Sequence, residues 1–599
     1  MMLSTSSYSK MIIKDNFKRY WAIPAVGMLA YILIGILPLA LNYKSFAEIS
    51  QHAATMMQAA SFSINSIITI LAVVAASAVF DYLHDPVSSN AIHSLPLNRR
   101  KLFVSSAFSG WVMMMIPMLI FAVMTPLFRG ATSPNGNMKY DMYSDSMVEV
   151  MGAKEVFTAP HLLQFLLIST VTATSVYAIA CLSGVLAGRK VIQPLLAYFL
   201  FFLPVTMVFL IQDICEQYLF GYEAKEMNYD FLNPMLYALG RGGIFNVRTD
   251  AGIGGEDAVR LIYYLAISAV LMGISAWIYS KIKLERIGNA TTFPVVGDIL
   301  AALLTLMGTL GFSVLTADLM SDDKAGMTTR FIIIALISSV IFYAIMRMIA
   351  DSTPSVFNSV NIKKYVICLA ILLVIIAFTA LDITGYGKKE PAASEVESVH
   401  VKSGFPNNTF EVDDDFSDAD TIAVLSELQK ALIEDRYVNE NEDIMTDSIE
   451  LTWKMKNGSE LTRTYYMCRG KGFDKTEGAL KKLYNTTAYR EKLHIDKEDI
   501  IKKCKYMEVY GEDILNEDYT RIKKEDERAL LDAVDKDLSV VPYEKLGQLA
   551  GDMDDGERLC IIDVNCKAEE TEGYDVKSFL MSKDAENTKE FLKSKGYIK

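Results

Sequence analysis

The chain has 599 residues, 51% of them apolar, and a formal net charge of −13. That is too long for one compact core and too acidic overall for a nucleic-acid partner, whose phosphates need a basic face. The charge is segregated: residues 1–389 carry 27 Lys+Arg against 23 Asp+Glu, a net of +4, and residues 390–599 carry 31 against 48, a net of −17. The break near Lys389 separates a greasy half from an acidic, soluble half.

In chain order, residues 1–20 are too charged for the apolar core of a signal peptide, and the first apolar run reads as a retained anchor. Met11, Ile12, Ile13, Phe17 and Tyr20 alternate with Lys14, Lys18 and Arg19. This pattern predicts an amphipathic helix lying in the interface; the plainer reading is a basic flank. A spanning helix needs about 20 apolar residues, at about 1.5 Å each across a core of about 30 Å. Nine runs qualify: Trp21–Leu41, Ser61–Phe80, Val104–Phe128, Phe165–Leu186, Val191–Ile211, Leu261–Tyr279, Pro294–Leu315, Phe331–Met346 and Tyr365–Leu381. The last two are short and lean on their flanks, with Arg347 expected to snorkel to the headgroups.

Basic residues cluster before the first span (Lys10, Lys14, Lys18, Arg19) and in alternate loops. Those loops hold Arg99, Arg100 and Lys101; Arg189 and Lys190; Lys281, Lys283 and Arg286; and Arg347, Lys363 and Lys364. The other loops are longer and poorer in base. The positive side of a bilayer protein faces the cytoplasm, so an odd span count places the C-terminal domain outside, in a multi-pass protein of the cell membrane. Asp213, Asp298 and Asp382 sit near span ends, and none of the nine runs carries a charge at its middle. Ion-coupled carriers keep such charges deep in the bilayer, which points to an external energy source. The chain has no G-x-x-x-x-G-K-[ST] phosphate cradle. The glycines at 240–243 and 252–255 fall in an outer loop and read as a flexible turn.

The loop after the second span runs Asp81-Tyr82-Leu83-His84, then His93-Ser94-Leu95-Pro96-Leu97-Asn98-Arg99-Arg100-Lys101-Leu102-Phe103. Pro96 predicts the end of a short helix near Leu95. A helix lying along the membrane there would present a stubby surface, with Arg99, Arg100 and Lys101 holding the third span at the headgroups. On these grounds alone the loop reads as a positive anchor. His84 and His93 lack a third fixed metal ligand and the H-E-x-x-H pattern.

This segment resembles the first cytoplasmic loop of ABC-2-type permeases of Gram-positive bacteria. Lys281-Ile282-Lys283-Leu284-Glu285-Arg286, Asp382-Ile383-Thr384-Gly385-Tyr386 and the stretch Trp453–Tyr466 are similar to further parts of that family, the last to a hairpin of its extracellular domain. The resemblance implies a permease subunit energised by a separate ATP-binding cassette subunit, paired with a second permease or a second copy. It also implies an ATPase-coupling loop of Tyr82, Leu83, His84, His93, Ser94, Leu95, Pro96, Leu97, Arg99 and Arg100. No catalytic residue, metal or cofactor is expected. Such permeases usually have about six spans per unit, fewer than the nine found here. The rival expectation is a membrane-anchored sensor or scaffold whose outer domain binds a ligand and transports nothing.

The acidic half alternates helical and strand patterns and predicts an α+β domain over 421–599, after an acidic linker over 383–420. Ile422, Leu425, Leu428 and Leu432 stripe a helix over Thr421–Asp435, with Asp420 as its N-cap. Ile449, Leu451, Trp453 and Met455 alternate as a strand, and Asn457-Gly458 marks a hairpin whose register stays open between two- and four-residue loops. Leu559–Val564 predicts a buried strand. Glu527–Leu538 and Asp584–Lys595 predict helices, the latter stopped by Gly596. The aspartates at 413–420 lack the order of an EF-hand. The domain's acidity suits cationic peptides. The seven cysteines form no C-x-x-C pair, and pairing of Cys560 with Cys566 is left open. The fold class expected is an all-α polytopic membrane domain over 21–382 followed by a soluble α+β domain.

Overall fold

The computed structural model of the chain describes residues 5–41, 43, 62–130, 138–141, 146–149, 157–224, 229–240, 255–283, 286–319, 324–351, 353–403, 412–435, 445–469, 473–492, 497–511, 519–540, 558–567, 574–582 and 585–598. Helices stand at all nine predicted places. Eight are long and apolar enough to cross a membrane: Ala22–Leu41, Arg99–Gly130, Ala159–Leu186, Ile192–Tyr218, Asp257–Lys281, Pro294–Ala317, Thr328–Asp351 and Ser359–Phe378. These are the first and the third to ninth helices in chain order. The second, Phe62–Val79, holds a shorter apolar stretch, Ser63–Val79, about 26 Å long at about 1.5 Å per residue. Just past its end, Asp81 meets Lys190 at 2.6 Å and Arg19, at the start of the first helix, at 3.9 Å. The second helix therefore runs antiparallel to the first through the same bundle.

The amphipathic helix α1 (Thr5–Arg19) packs Ile12 and Phe17 onto the bundle, joined by Tyr20 just past its end, and leaves Lys10, Lys14 and Lys18 exposed. Asn16 Nδ2 donates to Ser109 Oγ at 2.7 Å, which ties α1 to the third helix. The first six helices share one buried core that runs from Ile23 to Ile282. Helices seven to nine gather a second core with the far end of the fifth, through Ile214, Leu310, Phe331 and Leu372. Small residues line the inner faces of the first core: Ala72, Ala75 and Ala76 on the second helix, Ser105, Ser106, Ala107 and Ser109 on the third. Between helices in lipid, attraction comes from close packing and hydrogen bonds. The Tyr177 hydroxyl donates to the Ala107 carbonyl at 2.7 Å, and a Cβ at Gly110 would lie 2.2 Å from that hydroxyl.

Arg347 departs from expectation. Its guanidinium does not snorkel: it is 4% exposed and reaches Asp298 at 2.6 Å and Asp351 at 2.7 Å. Lys364 reaches the same Asp298 oxygen at 2.7 Å. The eighth helix continues to Asp351, beyond its predicted end, because this ion network satisfies its polar end.

A hairpin of β1 (Met138–Asp141) and β2 (Ser146–Glu149) interrupts the otherwise helical membrane half, in the loop after the third helix. Beyond the ninth helix the chain turns at Asp382, whose carboxylate accepts from the N–H groups of Tyr386 at 2.7 Å and Gly387 at 2.9 Å. Two α+β modules follow. The first comprises β3 (Val396–Ser403), β4 (Val412–Phe416), α3 (Ala419–Asp435), β5 (Met445–Met455), β6 (Glu460–Arg469) and α4 (Asp474–Tyr484). The second comprises β7 (Cys504–Tyr510), β8 (Thr520–Arg521), α5 (Glu527–Val540), β9 (Arg558–Lys567), β10 (Tyr574–Ser582) and α6 (Glu586–Ser594). The sheets run β4-β3-β5-β6 and β10-β9-β7-β8, antiparallel throughout. With each module's strands renumbered from one to four, both orders are two-one-three-four.

The likeness reaches individual side chains. Buried Asp435, ending α3, accepts from the N–H and hydroxyl of Thr476 in the first turn of α4, at 3.0 and 2.9 Å. Buried Asp537 on α5 accepts from the N–H groups of Asn587 at 3.0 Å and Thr588 at 2.7 Å, in the first turn of α6. Thr476 and Thr588 are each the third residue of their helix. The same fold is used twice.

Three expectations for this half need correction. The supposed acidic linker over 383–420 contains β3 and β4, whose aspartates pair across strands: Asp413 and Asp415 with His400, and Asp415 with Lys454. The cap of α3 is Asp418, accepting from Thr421 N–H at 2.9 Å, rather than Asp420. The hairpin register fits neither a two- nor a four-residue loop: Lys454 faces Glu460, Trp453 faces Leu461 and Met455 N–H donates to the Ser459 carbonyl at 2.9 Å, which leaves a three-residue loop over 456–458. Gly458 supplies the φ of 81° that loop requires. Ile449, Leu451 and Trp453 then fill the buried face with Tyr465.

The first module rests on the far ends of helices five and nine. Thr464 N–H donates to the Gly221 carbonyl at 3.2 Å, and the Phe220 and Tyr465 rings lie 5.2 Å apart. The Arg463 guanidinium stacks 3.6 Å over Tyr386 and donates to its carbonyl at 3.1 Å. The fifth helix begins beside Arg189 and Lys190, so the modules occupy the end of the bundle opposite these basic residues.

Candidate functional site

All five basic segments meet at one end of the bundle. Asp81 gathers Arg19 and Lys190. Gly188 N–H donates to the Ala290 carbonyl at 3.1 Å, and Gly288 N–H returns to the Gly188 carbonyl at 3.0 Å. This welds the turn after the fourth helix to the loop before the seventh. Gly188 is required there, because a Cβ would sit 2.2 Å from the Asn289 carbonyl oxygen. Asp298, one turn further on, gathers Arg347 and Lys364.

The loop over residues 81–99 crosses this end. Asp81–His84 is a tight 3-10 turn with Tyr82, Leu83 and His84 all buried. Asp85 then caps the short helix α2 (Pro86–His93), accepting from Ser88 N–H at 2.9 Å, with Pro86 at the first helical position. The helix stops at Ser94, one residue before the expected end, and Leu95–Leu97 form the bend ahead of the third helix. Asn98 caps that helix through Arg100 N–H.

The predicted coupling residues separate into two groups. Ser94, Pro96 and Arg100 are exposed, and Leu95 and Leu97 are half-buried. The remainder face inward and fasten the loop. His93 Nδ1 lies 2.7 Å from the Ser89 carbonyl, so Nδ1 carries the proton and Nε2 accepts. The Tyr279 hydroxyl, 3.0 Å from Nε2, then donates to it. The Tyr82 hydroxyl, 2.9 Å from Tyr279, completes a relay from Tyr82 through Tyr279 to His93. Arg99 Nη1 donates to the Ile282 carbonyl at 2.8 Å, so Arg99 satisfies the carboxyl end of the sixth helix and is not a headgroup anchor. The tip is thus fixed to the sixth helix by Tyr279 and to the residue beyond it by Arg99.

Tyr279 is the residue sequence reasoning missed: alone at the end of an apolar run, it carries no sign of its partners Tyr82 and His93. His84 and His93 do not come together as ligands. Among the described residues no group of three or more His, Cys, Asp or Glu side chains is placed to hold a metal ion.

Burial pushes His84 down to about 4, against the pull of Asp81 and the carbonyls of Gly184 and Ala187, and it lowers His93 as well. Both imidazoles are neutral in the folded protein at neutral pH. As pH falls below about 6.5 the unfolded chain takes up protons the folded one refuses, so stability drops until pH about 4. His84 alone accounts for on the order of 3 kcal/mol across that window. The thermal midpoint of the detergent-solubilised chain should fall accordingly between these pH values, and His84→Phe should flatten the slope. An unchanged slope in that variant would remove His84 as its source.

In the comparisons with known proteins, no family model, no curated protein and no solved structure matches this chain.

Proposed function

We propose that the chain is the membrane-spanning permease subunit of an ATP-binding-cassette transporter of the ABC-2, exporter-like kind, energised by a separate ATP-binding subunit. In this reading the basic end faces the cytoplasm and the tandem modules face the exterior. The observation that carries it is the Ser94–Leu97 tip: a small surface with two half-exposed leucines, standing on a base pinned to the third and sixth helices. Force applied at the tip would pass to both helices with little lost in bending. The six-helix core supports the same reading, because it matches the unit size of such permeases and leaves helices seven to nine as an addition beside it.

Docking of the tip into a partner groove would bury Leu95 and Leu97, worth about 2 kcal/mol together, or roughly 30-fold in affinity. Purification from native membranes through a C-terminal tag should bring down an ATP-binding subunit. Leu95→Asp with Leu97→Asp should lose it while leaving the bundle folded. A chain that purifies from those membranes stably and without any ATPase overturns the proposal. The seating of the first module on helices five and nine favours a second reading, a sensor whose modules report ligand binding to the bundle. ATP-dependent flux in vesicles with the partner present separates the two, since the sensor gives none.

A further inference from the structure

Cys560 and Cys566 cannot pair with each other, because both stand on β9 six residues apart, about 20 Å at about 3.3 Å per residue. A disulfide requires Cα atoms roughly 4.4–6.8 Å apart. The sheet register offers Cys566 a different neighbour. Cys504, the first residue of β7, is its direct Cα partner across the antiparallel β7–β9 pair. Residues directly opposite in such a pair lie about 4.5–5.5 Å apart, inside the range a disulfide needs.

The faces also agree. On β9 the side chains in the hydrophobic core are Cys560, Ile562 and Val564, so alternation along the strand places position 566 on the core face. On β7 the side chains in the hydrophobic core are Cys504, Met507 and Val509. The odd step from 504 to 507 arises from a register shift between Cys504 and Tyr506, which inserts Lys505 and returns Cys504 to the same face. Cys504 is 6% exposed.

We propose that Cys504 and Cys566 are a disulfide-forming pair that staples the start of β7 to the end of β9 in the second module. The oxidant is a disulfide of the exterior, on a protein or a small molecule. One thiolate attacks it and forms a mixed disulfide, releasing one thiol. The second thiolate attacks the mixed disulfide, joins the two cysteines and releases the other thiol. Two protons and two electrons pass to the oxidant. Burial of Cys504 places the exchange during folding, before the sheet closes. Formation in cells rests on the outward placement of the modules proposed above.

The test uses the full chain. Cells are lysed in a maleimide to trap free thiols, and the protein is denatured with more maleimide and digested without reductant. The expected result is a linked pair of peptides containing Cys504 and Cys566, two thiols fewer labelled, and Cys560 labelled. In a second arm the chain is made by cell-free synthesis into lipid nanodiscs with oxidised glutathione present. A link in the second arm alone supports the pair and overturns the outward placement. Labelled Cys504 and Cys566 in both arms overturn the pair, and so does a Cys504–Cys560 link in the unaltered chain. Cys566→Ser should abolish the link and leave Cys504 labelled.

Discussion

Replacing Arg347 by Met is expected to destabilise the membrane half by about 2 kcal/mol, less than for a fully buried pair because the Asp298 and Asp351 side chains it leaves behind are 33% and 29% exposed. The guanidinium binds three carboxylate oxygens: Asp298 Oδ1 at 2.6 Å, and Asp351 Oδ1 and Oδ2 at 2.7 and 2.9 Å. Without it Asp351 keeps Asn361 Nδ2 at 2.9 Å and Asp298 keeps Lys364, so negative charge outweighs its compensation between helices seven, eight and nine. Arg347→Lys should recover only part of the loss, because an ammonium cannot hold two carboxylates in the geometry of a planar fork. Lys364→Met is the control. Its side chain is 35% exposed, where an ion pair is worth at most about 1 kcal/mol. Thermal unfolding of the three variants in nanodiscs should rank them in that order. An Arg347→Met protein that melts like Lys364→Met would show that the network is not what holds these helices.

Gly221→Ala should loosen the first α+β module from the bundle. Gly221 has a φ of 76°, and an added Cβ would lie 2.8 Å from Cε1 of Tyr465 and 3.1 Å from Cδ of Arg463. A left-handed backbone at a residue with a side chain costs about 1–3 kcal/mol, and displacing Tyr465 removes its packing on Phe220 as well. A loss of about 2 kcal/mol corresponds to roughly 30-fold faster opening, readable as amide exchange along β6 and the 219–222 turn. Exchange in β7 and β9 should stay as it was. The double variant Gly221→Ala/Tyr465→Ala should be less damaged than the sum of its parts, because the shared clash is then gone. Strict additivity would argue against that clash.

What was legible in the sequence follows from which forces are local. Run length fixed the nine helices, and the bias of basic residues anticipated that Arg19, Arg99, Lys190, Lys281 and Lys364 would lie at one end. The stripe Ile422, Leu425, Leu428, Leu432 gave α3 for the same reason. Failures came where partners are distant in sequence. β4 reads Val-Asp-Asp-Asp-Phe, which looks like a solvated linker until His400 and Lys454 are brought beside it by the sheet. Arg347 and Arg99 looked like headgroup anchors because Asp298 and Ile282 are far away in the chain. In the loop over residues 81–99 the proline and the flanking helix could be foreseen, but not the inward turn of Tyr82, Leu83 and His84. The doubling of the α+β fold left no readable repeat, since the two copies share strand order and one carboxylate staple each but little else.

That doubling divides the evolutionary constraints unequally. One copy must satisfy its own interior and also the ends of two membrane helices, so its Arg463 and Tyr465 answer to two masters. Among the described residues the other is not seen seated on those helix ends, so its surface is freer to diversify. Among relatives of this chain, variation should therefore concentrate in the distal copy, where a new recognition surface could arise without disturbing the machinery beneath.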